Sequence, residues 1–209
     1  MKPEEKKEGG KDAIAFWEGR WRARETPWDH GRFAPPWSEF VEREGPPGGH
    51  ILVPGAGSGH DVRYFAELGA RVTGMDIAPS AIEVARERNP HPDAVYVEDD
   101  ILNPDPALSG VFDWVVEHTC LCALDPLHWP AYAASVDRLL RPGGHYLALF
   151  YRDPEDDEGP PHRIEGATID QLFGKRFSLL KSWIPERSYA SRLGREELRW
   201  YLKPEVKGS

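Results

Sequence analysis

Three alternating glycines and a later aspartate form the pattern in this sequence with the clearest chemical meaning. The glycines are Gly55, Gly57 and Gly59, directly after a short apolar stretch, and Asp76 stands about 20 residues further on. Glycine adopts positive φ angles and lets the backbone approach a ligand closely. A carboxylate at the end of the next strand can accept hydrogen bonds from two ribose hydroxyls. The pattern therefore predicts a nucleoside site.

The spacing of the glycines distinguishes two classes of nucleoside ligand. The dinucleotide fingerprint is G-x-G-x-x-G, which seats a pyrophosphate on a helix N-terminus. Here the third glycine comes one residue early, His60 stands where the last glycine would be, and Asp61 begins the following helix. A carboxylate there opposes a pyrophosphate but tolerates a zwitterionic, cationic sulfonium. The loop therefore favours S-adenosyl-L-methionine, with a nicotinamide dinucleotide and a purely structural turn as the remaining interpretations.

A second acidic segment, Glu98-Asp99-Asp100-Ile101, follows the third predicted strand. At that position a carboxylate can accept a hydrogen bond from the exocyclic amine of adenine, and an aliphatic side chain can pack on the ring. We therefore predict that Asp100 and Ile101 hold the adenine. Taken alone, the segment is more typical of an exposed acidic turn, so this prediction depends on the glycine loop.

The helices and strands expected around these residues alternate, which is typical of a mostly parallel sheet with helices on both faces. Apolar stretches predict strands at 50–53, 71–75, 94–97, 112–117 and 146–151, and a final antiparallel pair at 177–184 and 197–202. Apolar residues at helical spacing predict helices at 12–24, 35–41, 61–68, 80–88, 129–140 and 168–173. Ser80 and Glu83 form a capping-box pattern at the start of one of them. Such sheets bind ligands at the carboxyl ends of their strands.

Composition and length bound the remaining possibilities. The chain has 209 residues, 40% of them hydrophobic, which suits one α/β domain with a continuous core. We expect residues 1–12 to form a flexible charged tail and residues 13–209 a single domain whose first helix is a lid. The net charge of -9 disfavours nucleic acid and anionic lipid as partners. No apolar run approaches the roughly 18 residues of a membrane-spanning helix.

The two cysteines, Cys120 and Cys122, stand one residue apart near the end of an apolar strand. This spacing disfavours a disulfide between them, and two thiols cannot form a zinc site without nearby partners. We therefore expect buried, reduced thiols in a cytoplasmic protein, with no metal. We also expect the protein to be a monomer.

Several segments together resemble the thiopurine methyltransferase superfamily, and within it the halide/thiol methyltransferase branch. The matches run from about residue 13 to the end of the chain, and their order and combination are specific. They comprise Trp17 and Trp21, the motif Thr26-Pro27-Trp28-Asp29, segments 52–61, 72–77, 122–126 and 140–144, and Gly159-Pro160-Pro161.

The resemblance implies a class I S-adenosylmethionine-dependent methyltransferase, which is Rossmann-like with a mostly parallel seven-stranded sheet and a C-terminal antiparallel hairpin. S-adenosyl-L-homocysteine would be the product. On periodicity alone, the two tryptophans of the first helix are better explained by docking of that helix on the core than by ligand contact. The loop and the resemblance together give the expected cofactor site, which consists of Trp17, Trp21, Trp28, Gly55, Gly57, Gly59, Asp76, Ile77, Asp100, Ile101, Glu117 and His118.

The segment after the fourth predicted strand narrows the methyl acceptor. Amine and nucleic-acid methyltransferases commonly carry a polar-Pro-Pro-aromatic motif there, whereas this chain has Glu117-His118-Thr119-Cys120. Carboxylates suited to a divalent metal beside a diol are not evident. Displacement at a sulfonium methyl group depends mainly on alignment and exclusion of water. Small soft acceptors remain, namely hydrosulfide, methanethiol or another small thiol, or a halide.

Two histidines and an arginine are the acceptor-side candidates. The halide/thiol branch usually has a phenol where this chain has His118, and another after the Gly-Pro-Pro, where it has His162. A thiol has a pKa of about 8.5 and a histidine of about 6.5, so a neutral imidazole can take the thiol proton, whereas a halide needs no base. Arg152 directly follows the fifth predicted strand. The alternative is that all three are ordinary polar residues at the pocket mouth or in a solvated loop.

Methylation of a small thiol is therefore the leading function. Halide, thiopurine, and tellurium or selenium oxyanion methylation are alternatives within the same class of enzyme. A non-catalytic cofactor-binding module and a nicotinamide oxidoreductase are alternatives from other classes, and the glycine spacing argues against the second.

Overall fold

Short apolar stretches of the chain become the seven strands of one sheet. The computed structural model describes residues 5–155 and 159–205, with side chains from Asp12 onward. The strands are β1 His50–Pro54, β2 Arg71–Asp76, β3 Ala94–Glu98, β4 Phe112–His118, β5 Leu140–Tyr151, β6 Ser178–Trp183 and β7 Glu196–Leu202. Their order across the sheet is β3-β2-β1-β4-β5-β7-β6.

The direction of the strands confirms the predicted fold class. Strands β1 to β5 pair in parallel, and β7 pairs antiparallel with both β5 and β6. The winding of the chain reverses at β1, because β2 and β3 lie on one side of it and β4 and β5 on the other. Such a reversal opens a crevice at the carboxyl ends of β1 and β4, where ligands of this fold bind. The glycine loop leaves β1 at that place.

In the part of the chain that the structure describes, six α-helices accompany the sheet. They are α1 Glu5–Ala23, α2 Pro35–Glu44, α3 His60–Glu67, α4 Pro79–Arg88, α5 Trp129–Leu139 and α6 Gly166–Phe173. One apolar layer packs α5 and α6 against the sheet through residues such as Tyr132 and Phe173. The layer on the other face uses α2, α3 and α4, with Trp37 and Phe65 fully buried in it. Each helix buries one apolar stripe, as its periodicity predicts.

Two boundaries and one helix cap differ most from the sequence prediction. Helix α1 begins at Glu5, within the predicted tail, while residues 1–4 and the side chains of 5–11 lie outside the described part, so the flexibility of that tail stays a prediction. Strand β5 begins at Leu140, before the Gly-Gly expected to precede it, because Leu140 pairs with Phe112 across a bulge. The capping box was wrong, since the side chain and N–H of Ser80 both bond to Glu18 of α1.

The cysteines and the lengths of the helices bear on the expectations from composition. Both cysteines are free and buried. Within the same residues, no helix combines the length and the apolar character that crossing a membrane requires.

Candidate active site

The glycine loop is a close-packed cradle between β1 and α3. Its three glycines have φ angles of 60° at Gly55, 52° at Gly57 and 83° at Gly59, all in the region that disfavours other residues. A Cβ at Gly55 would lie 3.0 Å from the Cβ of Cys120, and one at Gly59 would lie 2.5 Å from the hydroxyl of Tyr96. Both conformation and space therefore require glycine here.

Asp76 stands beside this loop at the end of β2. One carboxylate oxygen accepts the N–H of Gly57 at 2.9 Å, and the other accepts the N–H of Ala78 at 3.0 Å. Burial raises the pKa of Asp76, and these N–H groups oppose the rise. Each oxygen keeps a further lone pair, so the carboxylate can also accept hydrogen bonds from two ribose hydroxyls. Ile77 is half-buried directly after it.

The three predicted tryptophans come together over the cradle. The ring centroids of Trp17 and Trp28 are 5.3 Å apart, and those of Trp21 and Trp28 are 6.2 Å apart, both edge-to-face. This tryptophan cluster packs on Ala78 and the next turn of α4. The ring of Trp21 also lies 3.5 Å from the position that a Cβ on Gly57 would take. Helix α1 thus docks where a ligand on the glycine loop would touch it.

The predicted adenine end lies at the end of β3. Ile101 is buried in the core layer that contains Met75. One oxygen of Asp100 accepts the N–H of Leu102 at 2.9 Å, which leaves its other oxygen with no hydrogen bond to the described residues. Asp99 holds the turn, since its two oxygens accept backbone N–H groups within the same segment. Of these two aspartates, Asp100 is therefore the one whose carboxylate has an oxygen available to a ligand.

Glu117 is buried beneath the turn that follows β4. One of its oxygens accepts the N–H groups of Cys120 at 2.8 Å and Leu121 at 3.1 Å, and the other accepts the hydroxyl of Tyr146 at 3.4 Å. Burial raises the pKa of Glu117 to about 7, even though these hydrogen bonds act in the opposite direction. The carboxylate thus fixes Cys120, which in turn lies against Gly55.

His118 has both ring nitrogens engaged. Its Nδ1 lies 3.1 Å from a carboxylate oxygen of Asp61, and its Nε2 accepts a hydrogen bond from the guanidinium of Arg192 at 3.0 Å. Because a guanidinium can only donate, Nε2 is the accepting nitrogen, and Nδ1 carries the ring proton that faces Asp61. Burial alone would raise the pKa of Asp61, but the hydrogen bond from His118 brings it below its ordinary value.

Arg192 is itself buried, and its environment extends this chain of contacts. Its guanidinium carbon lies 4.9 Å from the ring centre of Tyr151 and 5.7 Å from that of Tyr189. Glu196 balances its charge at 3.4 Å. The ring of Tyr189 stacks on that of His118 at 6.1 Å. These residues together form a buried polar and aromatic wall behind the end of β4.

His162 lies on the other side of the turn after β4. Its backbone N–H donates to the carbonyl of Cys122 at 2.7 Å. Its ring, which is half-buried, packs against Gly159 so closely that a side chain there would collide with it. No side-chain hydrogen bond or ion pair of the His162 ring occurs among the described residues, so both nitrogens remain available.

Arg152 is separate from the other candidates. Its Nε donates to the carbonyl of Ile164 at 2.9 Å, and its guanidinium forms an ion pair with Glu197. It lines an open surface cavity of about 490 Å³ together with residues 163–167. Within 5–155 and 159–205, no contact joins Arg152 to His118 or to the glycine loop.

Comparison with known proteins shows the family to which the chain belongs. The family described as Thiopurine S-methyltransferase matches residues 12–190. The chain belongs to this family. It is 36% identical over 204 residues to thiocyanate methyltransferase 1 of Brassica oleracea, covering 95% of this chain and 87% of that protein. It is 33% identical over 190 residues to probable thiol methyltransferase 2 of Arabidopsis thaliana, covering 88% and 83%.

Solved structures of other methyltransferases share the fold. A TehB-like S-adenosylmethionine-dependent methyltransferase from Corynebacterium glutamicum aligns with a TM-score of 0.63 at 18% identity, covering 94% of this chain and 98% of that one. A Burkholderia thailandensis N1-methyltransferase with bound S-adenosylhomocysteine aligns with a TM-score of 0.64 at 21% identity, covering 98% and 92%. These alignments show that the chain has the class I methyltransferase fold. As a member of the thiopurine S-methyltransferase family it is a methyltransferase, and S-adenosyl-L-methionine is its methyl donor.

The described residues fit that cofactor. The glycine cradle admits close approach, Asp76 retains lone pairs for ribose hydroxyls, and Trp21 covers the loop from above. Residues 12–155 and 159–205 contain no group of three or more His, Cys, Asp or Glu side chains that could hold a metal ion.

Four residues of the site were missed from the sequence. Glu18 lies in α1, and Asp29 lies in the turn that follows this helix. His60 directly follows the glycine loop. Arg192 donates to His118, which is 74 positions away in the sequence. The Asp of the Thr-Pro-Trp-Asp motif was a visible signal, because an acidic residue beside a tryptophan that is predicted to contact the ligand requires a partner of its own. No local pattern indicates Arg192.

Proposed function

We propose that this family member transfers the methyl group of S-adenosylmethionine to a small thiol, such as hydrosulfide or methanethiol. The observation that carries the proposal is the 36% identity to thiocyanate methyltransferase 1 across 95% of the chain. Its similarity to probable thiol methyltransferase 2 supports a sulfur acceptor, since one relative is named for thiocyanate and the other for thiols. The segment after β4 lacks the polar-Pro-Pro-aromatic motif of amine and nucleic-acid methyltransferases, which agrees with a sulfur acceptor.

S-adenosylmethionine supplies an electrophilic methyl group on a sulfonium sulfur. The residues proposed to hold it are those of the cradle, Asp76, Asp100 and the tryptophan cluster. The chain must then align the acceptor, exclude water and remove the thiol proton.

We assign the removal of the thiol proton to His162. A base needs a free lone pair, and the ring of His162 has no hydrogen-bond partner among the described residues, whereas the lone pair of His118 already accepts from Arg192. His162 also lies on the turn beside Cys122, next to the end of β4. His118 is accordingly a positioning residue that holds Arg192 in place. Arg152, in its ion pair with Glu197, has no role in the transfer.

A panel of acceptors tests the proposed activity. Purified protein and S-adenosylmethionine are incubated with sulfide, methanethiol, an aromatic thiol, thiocyanate, iodide and a thiopurine, and S-adenosylhomocysteine is measured. We expect the highest kcat/KM with sulfide or methanethiol. Turnover of iodide without turnover of any thiol would replace the proposal with halide methylation, and turnover of the thiopurine alone would place the acceptor in that class.

The role of His162 has a test of its own. We expect His162→Gln to lower kcat with methanethiol about 100-fold at pH 7, and much less at a pH above the thiol pKa, because a thiolate needs no base. His128→Gln, at an exposed histidine, is the matched control. A loss in His162→Gln that is the same at every pH would reject the assignment.

The acceptor is a small molecule, and we propose that the protein acts as a cytoplasmic monomer without nucleic acid or membrane. The net charge of -9 and the two free, buried cysteines support this. Light scattering during gel filtration should give a mass near 23.6 kDa. A mass of twice that value would replace the monomer with a dimer.

A further inference from the structure

The lid of this protein is tied down by two acidic side chains on either side of the tryptophan cluster. The lid consists of residues 12–29. These are the part of α1 whose side chains the structure describes and the turn that follows this helix. The tryptophan cluster contacts the glycine loop and α4 through ring surfaces alone. Apolar contact of this kind is not directional, so it does not fix the position of the rings. The polar contacts of the lid therefore decide where the tryptophans sit.

The first tie joins the turn to the glycine loop. A carboxylate oxygen of Asp29 lies 3.3 Å from Nε2 of His60, and His60 directly follows Gly59. The hydrogen bond from His60 is the largest cause that lowers the pKa of Asp29 to about 2. The same oxygen accepts the N–H of Gly31 at 2.9 Å. Asp29, which directly follows Trp28, is thereby bound to the residue after the glycine loop.

His60 is in turn held by a buried polar group. The side-chain nitrogen of Asn89 lies 3.3 Å from Nδ1 of His60 and donates to the carbonyl of Ser58 at 2.6 Å. The hydroxyl of Tyr96 donates to the carbonyl of Asn89 at 2.7 Å. His60, the partner of Asp29, is therefore held beside the glycine loop. The position of the lid thus depends on the position of that loop.

The second tie joins α1 to the start of α4. One oxygen of Glu18 accepts the Ser80 hydroxyl at 2.7 Å, and the other accepts the Ser80 N–H at 3.0 Å. Glu18 stands between Trp17 and Trp21 in the sequence and is only 9% exposed. Ser80 comes four residues after Asp76. This tie therefore sets the distance between the tryptophans and the predicted ribose site.

We propose that Asp29 and Glu18 are positioning residues for cofactor binding, which act by seating the tryptophan cluster over the glycine loop. This rests on the proposed use of that loop for S-adenosylmethionine. Hydrogen bonds to a carboxylate are directional and stronger than neutral ones, so they fix the rings where apolar packing alone would not.

The test compares four substitutions with a control in the same lid. Asp29→Ala, Asp29→Asn, Glu18→Ala and Glu18→Gln are titrated with S-adenosylhomocysteine in a calorimeter. We expect each Ala variant to bind at least tenfold more weakly, and Glu18→Gln to recover part of the loss because its amide oxygen can still accept from Ser80. Glu25→Ala is the control, since its exposed side chain has no partner among the described residues.

Steady-state kinetics separate positioning from general destabilisation. The KM for S-adenosylmethionine should rise tenfold or more, while the KM for the thiol changes less than twofold, and thermal unfolding of the unliganded protein should change little. Unchanged affinity in both Ala variants, or an equal loss in Glu25→Ala, would overturn the proposal. If an Ala variant fails to fold, Asp29→Asn or Glu18→Gln decides in its place: affinity weaker than that of the parent supports the proposal, and unchanged affinity overturns it. Failure of the parent protein to bind S-adenosylhomocysteine would instead reject the cofactor site.

Discussion

The buried carboxyl of Glu117 makes a quantitative prediction about stability. Burial raises its pKa from an ordinary value of 4.5 to about 7. Between these two values the folded protein holds a proton that the unfolded chain has already released. The free energy of unfolding therefore falls as the pH rises through this range and stays low above it.

The size of the effect follows from the pKa change. At about 1.4 kcal/mol per pKa unit, the rise of Glu117 corresponds to about 3 kcal/mol in all, of which roughly 2.5 kcal/mol falls between pH 5 and 8.5. Glu117→Gln keeps an oxygen that can accept the N–H groups of Cys120 and Leu121 but has no charge to bury. The variant should match the parent most closely near pH 5 and exceed its stability at pH 8.5.

Urea unfolding from pH 5 to 8.5 measures this difference directly. All other titrating groups cancel when the parent and Glu117→Gln are compared at each pH, and we expect the gap to widen by about 2.5 kcal/mol. Glu87→Gln, at an exposed glutamate, is the control and should give a flat difference. A gap between parent and Glu117→Gln that does not vary with pH would refute the reasoning.

Three further predictions concern single side chains. Gly59→Ala, crowded by a buried tyrosine hydroxyl, should cost at least about 2 kcal/mol in urea unfolding and more than Gly69→Ala, where φ is also positive but the space is open. Trp21→Ala should weaken binding of S-adenosylhomocysteine at least tenfold by calorimetry, whereas Phe16→Ala, at an exposed aromatic, should not. His118→Ala should lower the free energy of unfolding by about 1–3 kcal/mol, because Asp61 and Arg192 each lose a hydrogen-bond partner, and removal of the Asp61 carboxylate as well should recover part of the loss.

The conformation of the glycine loop and the position of Asp76 were predictable from the sequence because their signals are local. The spacing of the glycines encodes positive φ angles, and strand periodicity encodes where Asp76 ends its strand. Both depend on neighbours within a few residues, so no knowledge of tertiary contacts is needed. The mostly parallel sheet likewise follows from the alternation of strands with helices.

The acceptor half depends on contacts that sequence spacing does not reveal. His118 contacts Asp61 and Arg192, which are 57 and 74 positions away from it in the sequence. Only folding brings these three side chains together. The Ser80 capping pattern failed for the same reason, because a tertiary acceptor, Glu18, competes successfully with the local one. Local rules describe a helix end correctly only where no other part of the chain contacts it.

The most direct test of the account is a calorimetric titration of S-adenosylhomocysteine into the parent protein and into Asp76→Asn. The account predicts one site per chain in the parent and binding weakened about tenfold or more in the variant, since a hydrogen bond to a charged group contributes about 1.5–3 kcal/mol. Glu98→Gln, at an exposed carboxylate that ends the neighbouring strand, should bind like the parent. Absence of binding by folded parent protein, or equal affinity in Asp76→Asn, would contradict a nucleoside held by the glycine loop and the carboxylate beside it.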